Sequence, residues 1–217
     1  MKYQVCIFDW DGTLVNSEQH IVSSIQQAAK LADLPELEYD QIKNIIGLGM
    51  REALLALYPE LTHSKITELR EHYSSFFFAQ SAMPFSLFEG VTESLELLKS
   101  RGKNLAVATG KSRRGLELAL DSSQLRRFFD IERCADETQS KPNTMMLEQI
   151  VEFYSQSRGI IGLENFLLVG DTEYDLEMAA NMGIDSVGVS YGVHDVERLL
   201  KHKPIKIIDN FSEILML

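Results

Sequence analysis

The chain has 217 residues, of which 45% are hydrophobic and 24% are charged, as in ordinary globular proteins. Its formal net charge of −11 argues against general binding to nucleic acid or to an anionic membrane, because both of these surfaces are negative. The length fits one large domain, or a core domain that carries a smaller insertion.

The start of the chain leads directly into an apolar strand pattern, without the hydrophobic region of a signal peptide. No apolar run approaches the length that spans a membrane. Cys6 and Cys134 lie inside apolar runs, so we expect two buried free thiols and no disulfide framework. These features predict a cytoplasmic protein.

Short apolar runs separated by helical patterns predict the strands of the core. Continuous apolar runs are typical of parallel strands that are covered on both faces. Their alternation with helices predicts a doubly wound, Rossmann-like α/β fold, in which ligands bind beyond the carboxyl ends of the strands. The predicted strands are residues 5–8, 105–108, 166–169, 185–189 and 205–208.

A helical segment interrupts this alternation directly after the first strand. Residues 16–86 are too long for a connecting loop, and no strand pattern stands out in them, so we expect an inserted all-helical cap domain. The core domain would then comprise residues 1–15 and 87–217. The predicted helices are residues 17–32, 39–46, 51–57 and 62–80, separated by the helix breakers Pro35, Gly47, Gly49, Pro59 and Pro84.

The first predicted strand ends in the sequence Asp9-Trp10-Asp11-Gly12-Thr13. Two carboxylates can share one site here if the chain turns, which Gly12 would permit. Close carboxylates push their pKa values apart, so that one can act as a nucleophile and the other as a general acid. Taken alone, the segment is equally consistent with an Asx turn at a strand end.

The second predicted strand is followed by Thr109-Gly110-Lys111-Ser112. This segment offers a hydroxyl group, free backbone N–H groups and a helix start, all of which suit phosphate oxygens. A plain strand–turn–helix junction would have the same composition.

Further acidic residues follow the strand predicted at 166–169. Asp171 and Asp175 lie about one helical turn apart, and carboxylates of this kind can hold Mg²⁺ together with water and phosphate. Helix capping is the alternative explanation for both. Lys141 could neutralise a phosphate or an aspartate. Since all these residues occur at successive junctions of the chain, one sheet would bring them to a single edge.

The ordered set of motifs resembles the haloacid dehalogenase-like hydrolase superfamily, and within it the phosphoglycolate phosphatase and β-phosphoglucomutase group with a helical cap. The resemblance spans nearly the whole chain. The matching motifs are Asp9-Trp10-Asp11-Gly12-Thr13, Thr109, Lys141 and Gly170-Asp171 with Asp175.

The resemblance implies a catalytic role for several of these residues. Asp9 would attack phosphorus and form an aspartyl phosphate. Asp11 would protonate the leaving alkoxide and then activate water. Thr109 would hold the phosphoryl oxygens, and Lys141 would offset the charge of Asp9 and of the phosphate.

The resemblance also implies a metal site and a substrate site. Mg²⁺ would be bound by Asp9, by the main-chain carbonyl of Asp11 and by Asp171, with Asp175 as an outer partner. The residues expected to contact the substrate are Gly12, Thr13, Thr109, Gly110, Lys111 and, from the cap, Arg51.

The segment from Gly47 to Arg51 resembles the specificity loop of such a cap, in which Arg51 would bind an anionic substrate. An ordinary helix–helix turn with a solvated arginine is the alternative. We expect residues 15–17 and 85–90 to act as hinges, so that cap closure excludes bulk water.

The sequence thus predicts a Mg²⁺-dependent phosphatase that acts on a small phosphorylated metabolite resembling phosphoglycolate or a sugar phosphate. The expected assembly is a monomer or a small homo-oligomer. A phosphomutase of the β-phosphoglucomutase type would use the same motifs. A non-catalytic phospho-aspartate signalling domain fits less well, because Asp171 follows both Thr109 and Lys141.

Overall fold

The computed structural model describes residues 2–80, 86–160 and 162–217. The strands are β1 (Val5–Phe8), β2 (Val15–Asn16), β3 (Ser86–Leu87), β4 (Asn104–Thr109), β5 (Ile131–Cys134), β6 (Phe166–Gly170), β7 (Asp185–Val189) and β8 (Lys206–Ile208). The α-helices are α1 (Glu18–Leu31), α2 (Tyr39–Lys43), α3 (Met50–Leu57), α4 (His63–Gln80), α5 (Val91–Ser100), α6 (Arg113–Ser123), α7 (Met145–Arg158), α8 (Glu173–Met182) and α9 (Val196–Leu200).

Six of the strands in these residues form one parallel sheet in the order β5-β4-β1-β6-β7-β8. Alternate side chains of β1 enter two separate apolar cores. Cys6 and Phe8 pack in one core, and Val5 and Ile7 pack in the other. A strand that is buried on both faces needs apolar residues at every position, which explains the continuous runs in the sequence. The predicted doubly wound α/β core is confirmed.

One strand of the sheet was not predicted. Among the described strands, β5 lies at the edge and pairs with β4 alone, and its two central residues, Glu132 and Arg133, are half-buried. The apolar run expected around Cys134 is interrupted by Glu132 and Arg133, so it lacks the continuous pattern from which the other strands were predicted.

Helices α1 to α4 form the helical insertion, and their apolar side chains make a third core, which Val193 from the segment after β7 also joins. That core includes Val22, Ile25, Ile42 and Leu54. Helix α2 ends three residues earlier than predicted, and residues 44–46 form a turn. The domain boundaries at 15/16 and 86/87 stay a prediction.

The chain passes between the core and the insertion at two points, and these two segments pair as a short antiparallel ladder. β2 pairs with β3, through Val15 with Leu87 and Asn16 with Ser86. Both predicted hinges therefore contain a strand at the junction. The breaker Pro84 and the first residue of the second hinge, Phe85, lie outside the described residues.

Cys6 and Cys134 are buried free thiols, as predicted. Across the described part of the chain, every helix is too short or too polar to cross a lipid bilayer.

The separate core of the insertion leads to a stability prediction. Leu54 is fully buried within it, so Leu54→Ala should lower the free energy of unfolding by about 2–5 kcal/mol, through lost burial and the cavity left behind. Denaturant titration measures the change. The control is Leu31→Ala, because Leu31 is 56% exposed and should change stability by less than about 0.5 kcal/mol. Equal effects of the two substitutions would contradict the packing described here.

Candidate active site

Three adjacent strands bring the predicted site residues to one edge of the sheet. β1 lies between β4 and β6, and parallel pairing aligns their carboxyl ends. Asp9 follows β1, Thr109 ends β4, and Asp171 follows β6. Asp9 is therefore at the centre of the group.

Lys141 joins two of the buried carboxylates. Its Nζ atom donates hydrogen bonds of 2.6 Å to Asp9 Oδ1 and 2.6 Å to Asp175 Oδ1, and its side chain is 0% exposed. Burial alone would lower the pKa of Lys141, but the charges of Asp175 and Asp9 outweigh it and raise that pKa above its ordinary value. The ammonium group is therefore held in its charged form between the two acids.

Asp171 is fixed by a hydroxyl group and a backbone amide. Thr13 Oγ1 donates to Oδ1 at 2.8 Å, and the Val193 N–H donates to Oδ2 at 2.9 Å. Burial and the nearby charges of Asp9 and Asp175 hold the pKa of Asp171 well above its usual range. The Thr13 hydroxyl, predicted to bind substrate, is used here to orient a carboxylate.

Two glycines allow the backbone to pass close to Asp171. A Cβ atom on Gly12 would lie 2.0 Å from Asp171 Oδ2, and one on Gly192 would lie 2.2 Å from Asp171 Cβ. Gly12 also has φ of 82°, which an L side chain rarely adopts. Gly12, another predicted substrate contact, therefore makes room for the carboxylate.

The carboxylates of Asp9, Asp171 and Asp175 fit a divalent metal ion. Each offers one oxygen, and these atoms lie within 4.8 Å of one another. Asp9 Oδ2 is buried and has no hydrogen-bond partner among the described residues. Burial raises the pKa of Asp9 to about 7, and the charge of Asp175 adds to the rise while Lys141 opposes it. A hard cation such as Mg²⁺ prefers carboxylate oxygens of this kind.

The three carboxylates are not equally available to a metal. Asp175 Oδ1 accepts from Lys141, and Asp175 Oδ2 accepts from the N–H and the hydroxyl of Thr172 at 3.1 and 2.6 Å. Its oxygens are therefore already hydrogen-bonded at the start of α8. The free oxygen is on Asp9, which favours Asp9 over Asp175 as a direct ligand.

Asp11 has different partners from Asp9. Lys111 Nζ donates to both oxygens of Asp11 at 2.9 Å, and Ser17 Oγ donates to Oδ1 at 2.5 Å. The Lys111 ammonium also lies 4.7 Å from the ring centroid of Phe77 in α4. The sequence predicted Lys111 as a phosphate-loop residue and gave no signal for this ion pair or for Ser17. Each aspartate of the first motif thus has its own lysine.

The segment after β4 touches the insertion. A Cβ atom on Gly110 would lie 2.6 Å from the carbonyl oxygen of Leu48 and 2.7 Å from that of Gly47. The Gly49 N–H donates to Ser140 Oγ at 2.7 Å. The loop between α2 and α3 therefore packs directly on the edge of the sheet.

A cavity of about 100 Å³ lies between this edge and the insertion. Asp9, Asp11, Gly110 and Lys111 line its base, and much of the remaining wall is apolar. The apolar side chains that line it include Ile21, Ile25, Ile45, Ile46, Phe77 and Phe78.

The cation that the insertion contributes to this cavity is not the predicted one. Arg51 does not line the cavity, and its side chain is 53% exposed and faces Glu52 at 3.7 Å. Arg51 follows Met50 at the start of α3, where Met50 turns inward and Arg51 outward. Arg70 of α4 lines the cavity instead.

Comparisons with known proteins relate the chain to a family of hydrolases. The family model described as haloacid dehalogenase-like hydrolase matches residues 6–189. The chain is 34% identical over 214 residues to a probable phosphatase, IndB, of Dickeya dadantii, covering 96% of this chain and 90% of the relative. It is 26% identical over 216 residues to the pyrophosphatase PpaX of Bacillus mycoides, covering 99% and 96%.

A solved structure has the same fold over the whole chain. The crystal structure of a predicted phosphoglycolate phosphatase from Haemophilus somnus superimposes with a TM-score of 0.87 at 25% identity. The match covers 100% of this chain and 98% of the other.

The close approach at Gly110 gives a prediction about the insertion. Gly110→Ala should displace the 47–48 loop, because its Cβ would overlap two backbone carbonyls, and amide hydrogen exchange over residues 44–50 should speed up. Mass spectrometry after deuterium labelling measures the rate. In the control Gly115→Ala, the new Cβ meets its nearest neighbour, Ser112 Oγ, at 3.4 Å, so exchange in that loop should not change. Unchanged exchange in Gly110→Ala would contradict the contact.

Proposed function

The chain belongs to the haloacid dehalogenase-like hydrolase family and is a phosphatase, and we propose that it hydrolyses a small phosphate monoester with Asp9 as its nucleophile. The observation that carries the proposal is the unpaired buried oxygen of Asp9. Asp9 lines the cavity, its Oδ1 is held by Lys141, and its Oδ2 has no hydrogen-bond partner in the described structure. One oxygen is therefore anchored while the other is available for attack.

In the first step, a carboxylate oxygen of Asp9 attacks phosphorus and the ester P–O bond breaks. Asp11 gives its proton to the departing oxygen. Lys111 and Ser17 orient the Asp11 carboxyl toward the cavity, which both Asp11 and Lys111 line. Positioned acids of this kind contribute about 10²- to 10⁴-fold in rate.

In the second step, Asp11 takes a proton from a water molecule that attacks the phosphorus of the aspartyl phosphate. The bond between phosphorus and Asp9 breaks, inorganic phosphate is released, and both carboxyl groups return to their starting states. Splitting the transfer into two displacements divides one difficult step into two easier ones.

The surroundings of Asp9 supply the charge balance for this chemistry. Lys141 offsets one buried negative charge, and Asp175 holds Lys141 in place. Asp9, Asp171 and the main-chain carbonyl of Asp11 would hold Mg²⁺, which when bound neutralises negative charge on the phosphoryl oxygens. Thr109 and the N–H groups near Gly110 would bind the same oxygens.

We also propose that residues 16–86 act as a cap that shields the reaction from bulk water. The contacts of Gly110 with residues 47–48 and of Gly49 with Ser140 support a closed position over the sheet edge. Water exclusion strengthens the electrostatic interactions in the site and protects the acyl phosphate until Asp11 activates a water molecule.

The two aspartates of the first motif should differ in their response to the leaving group. Asp9→Asn should lower turnover of every phosphate ester by more than about 10⁴-fold, since the nucleophile is lost. Asp11→Asn should lower turnover of an alkyl phosphate much more than that of p-nitrophenyl phosphate, whose leaving group needs no proton. Release of inorganic phosphate measures both, and also separates hydrolysis from phosphomutase activity on glucose phosphates.

The control for these variants is Asp33→Asn, an exposed carboxylate in the insertion. It should keep wild-type turnover. Full activity of Asp9→Asn, or equal losses on both substrates in Asp11→Asn, would contradict the assigned roles.

Metal binding should be visible as a gain in stability. At a Mg²⁺ concentration of 100 times Kd, the wild type should gain about 2.7 kcal/mol in unfolding free energy, because only the folded chain assembles the carboxylates. In Asp171→Asn the gain should disappear. Sodium chloride at equal ionic strength controls for screening. A Mg²⁺-independent unfolding midpoint in the wild type would rule out this metal site.

A further inference from the structure

Two arginines near the cavity form no hydrogen bond or ion pair in the described structure. Arg70 of α4 and Arg114 of α6 form no hydrogen bond or ion pair with residues 2–80, 86–160 or 162–217. Every other arginine of the chain forms at least one such contact. Two arginines that line one depression without an ion pair are unexpected on a chain with a net charge of −11.

The two arginines line a depression that adjoins the cavity. A surface depression of about 460 Å³ is lined by both Arg70 and Arg114, and it shares Arg70, Ser74 and Phe78 with the cavity above Asp9. The guanidinium of Arg114 lies 4.7 Å from the ring centroid of Phe78. Phe78 therefore lines both the apolar cavity and the cationic outer depression.

The depression has a net positive charge even when its one acidic side chain is counted. Glu71 lines the same depression as the two arginines, so the three side chains carry one net positive charge. Arg70 comes from the insertion and Arg114 from the core, so an anion held by both would link the two parts of the molecule.

A substrate that fills this opening needs three parts in sequence. Its phosphoryl group contacts Asp9, an apolar body lies among side chains such as Ile25, Ile46 and Phe77, and its far end reaches the arginines. Pyrophosphate and phosphoglycolate lack the apolar body, so both would leave apolar wall uncovered and place charge against it.

We propose that the substrate is a phosphate monoester of an apolar, ring-sized alcohol that carries a second anionic group, bound by Arg70 and Arg114. This inference rests on the proposed phosphatase function and adds a substrate class to it. Charge-assisted hydrogen bonds from guanidinium groups to a carboxylate or phosphate provide the recognition.

The test compares matched aryl phosphates in the presence of Mg²⁺. The meta- and para-carboxyphenyl phosphates carry the second anion, and the corresponding carbamoylphenyl phosphates have the same shape without the charge. For at least one isomer, the wild-type kcat/KM should favour the carboxylate by about tenfold. Arg70→Gln and Arg114→Gln should each reduce that preference, and Arg70→Lys should retain part of it.

Two further variants test whether charge in the depression causes the preference for the carboxylate, and whether an arginine elsewhere contributes to it. Glu71→Gln should strengthen the preference, because it removes the opposing charge from the depression. Arg127→Gln should leave it unchanged, since Arg127 is an exposed arginine paired with Glu96 elsewhere on the core. Loss of the preference in Arg51→Gln but not in Arg70→Gln would overturn the assignment.

The outcomes separate this inference from the function on which it rests. If the wild type hydrolyses both members of each pair at equal rates, the anion subsite is wrong and the phosphatase function stands. If it hydrolyses none of these esters and no other phosphate monoester, the proposed function itself fails.

Discussion

The site depends on an imbalance of buried charge: three buried carboxylates share one sheet edge with one buried ammonium group. Lys141 contacts Asp9 and Asp175, and no cation among the described residues forms an ion pair with Asp171. Buried charges of one sign are costly, and the raised pKa values of Asp9 and Asp171 express that cost. A bound cation would remove it and would also allow an anionic phosphoryl group to approach. Gly12 and Gly192 lie against Asp171, and a larger residue at either position would displace its carboxylate from this cluster.

The second organising feature is the separation of Asp9 from Asp11. They are two residues apart, yet Asp9 pairs with Lys141 while Asp11 pairs with Lys111 and Ser17. Ser17 lies at the start of the insertion, and Lys111 packs against Phe77 of α4. The position of Asp11 is thus coupled to the packing of the insertion, whereas that of Asp9 depends on the core alone. This difference suits a fixed nucleophile and an acid that acts when the cavity is closed.

The convergence of the strand ends could be predicted, because apolar runs identify parallel strands and the topology places their carboxyl ends together. β5 was missed since Glu132 and Arg133 obscure its pattern. Two features could not be predicted: the ion pair between Lys111 and Asp11, and the presence of Arg70 rather than Arg51 at the cavity. Both depend on how the insertion packs on the core. No local signal in the sequence encodes that packing. The cytoplasmic location, the oligomeric state and the domain boundaries stay predictions.

The most direct measurement is to trap the covalent intermediate. Asp11→Asn, in which water activation is impaired, would be mixed with p-nitrophenyl phosphate and Mg²⁺, quenched in acid and digested for mass spectrometry. We expect one phosphoryl group on Asp9, labile to hydroxylamine and absent when Asp9→Asn is combined with the same variant. A phosphoryl group on another residue, or turnover with no covalent adduct, would contradict this expectation.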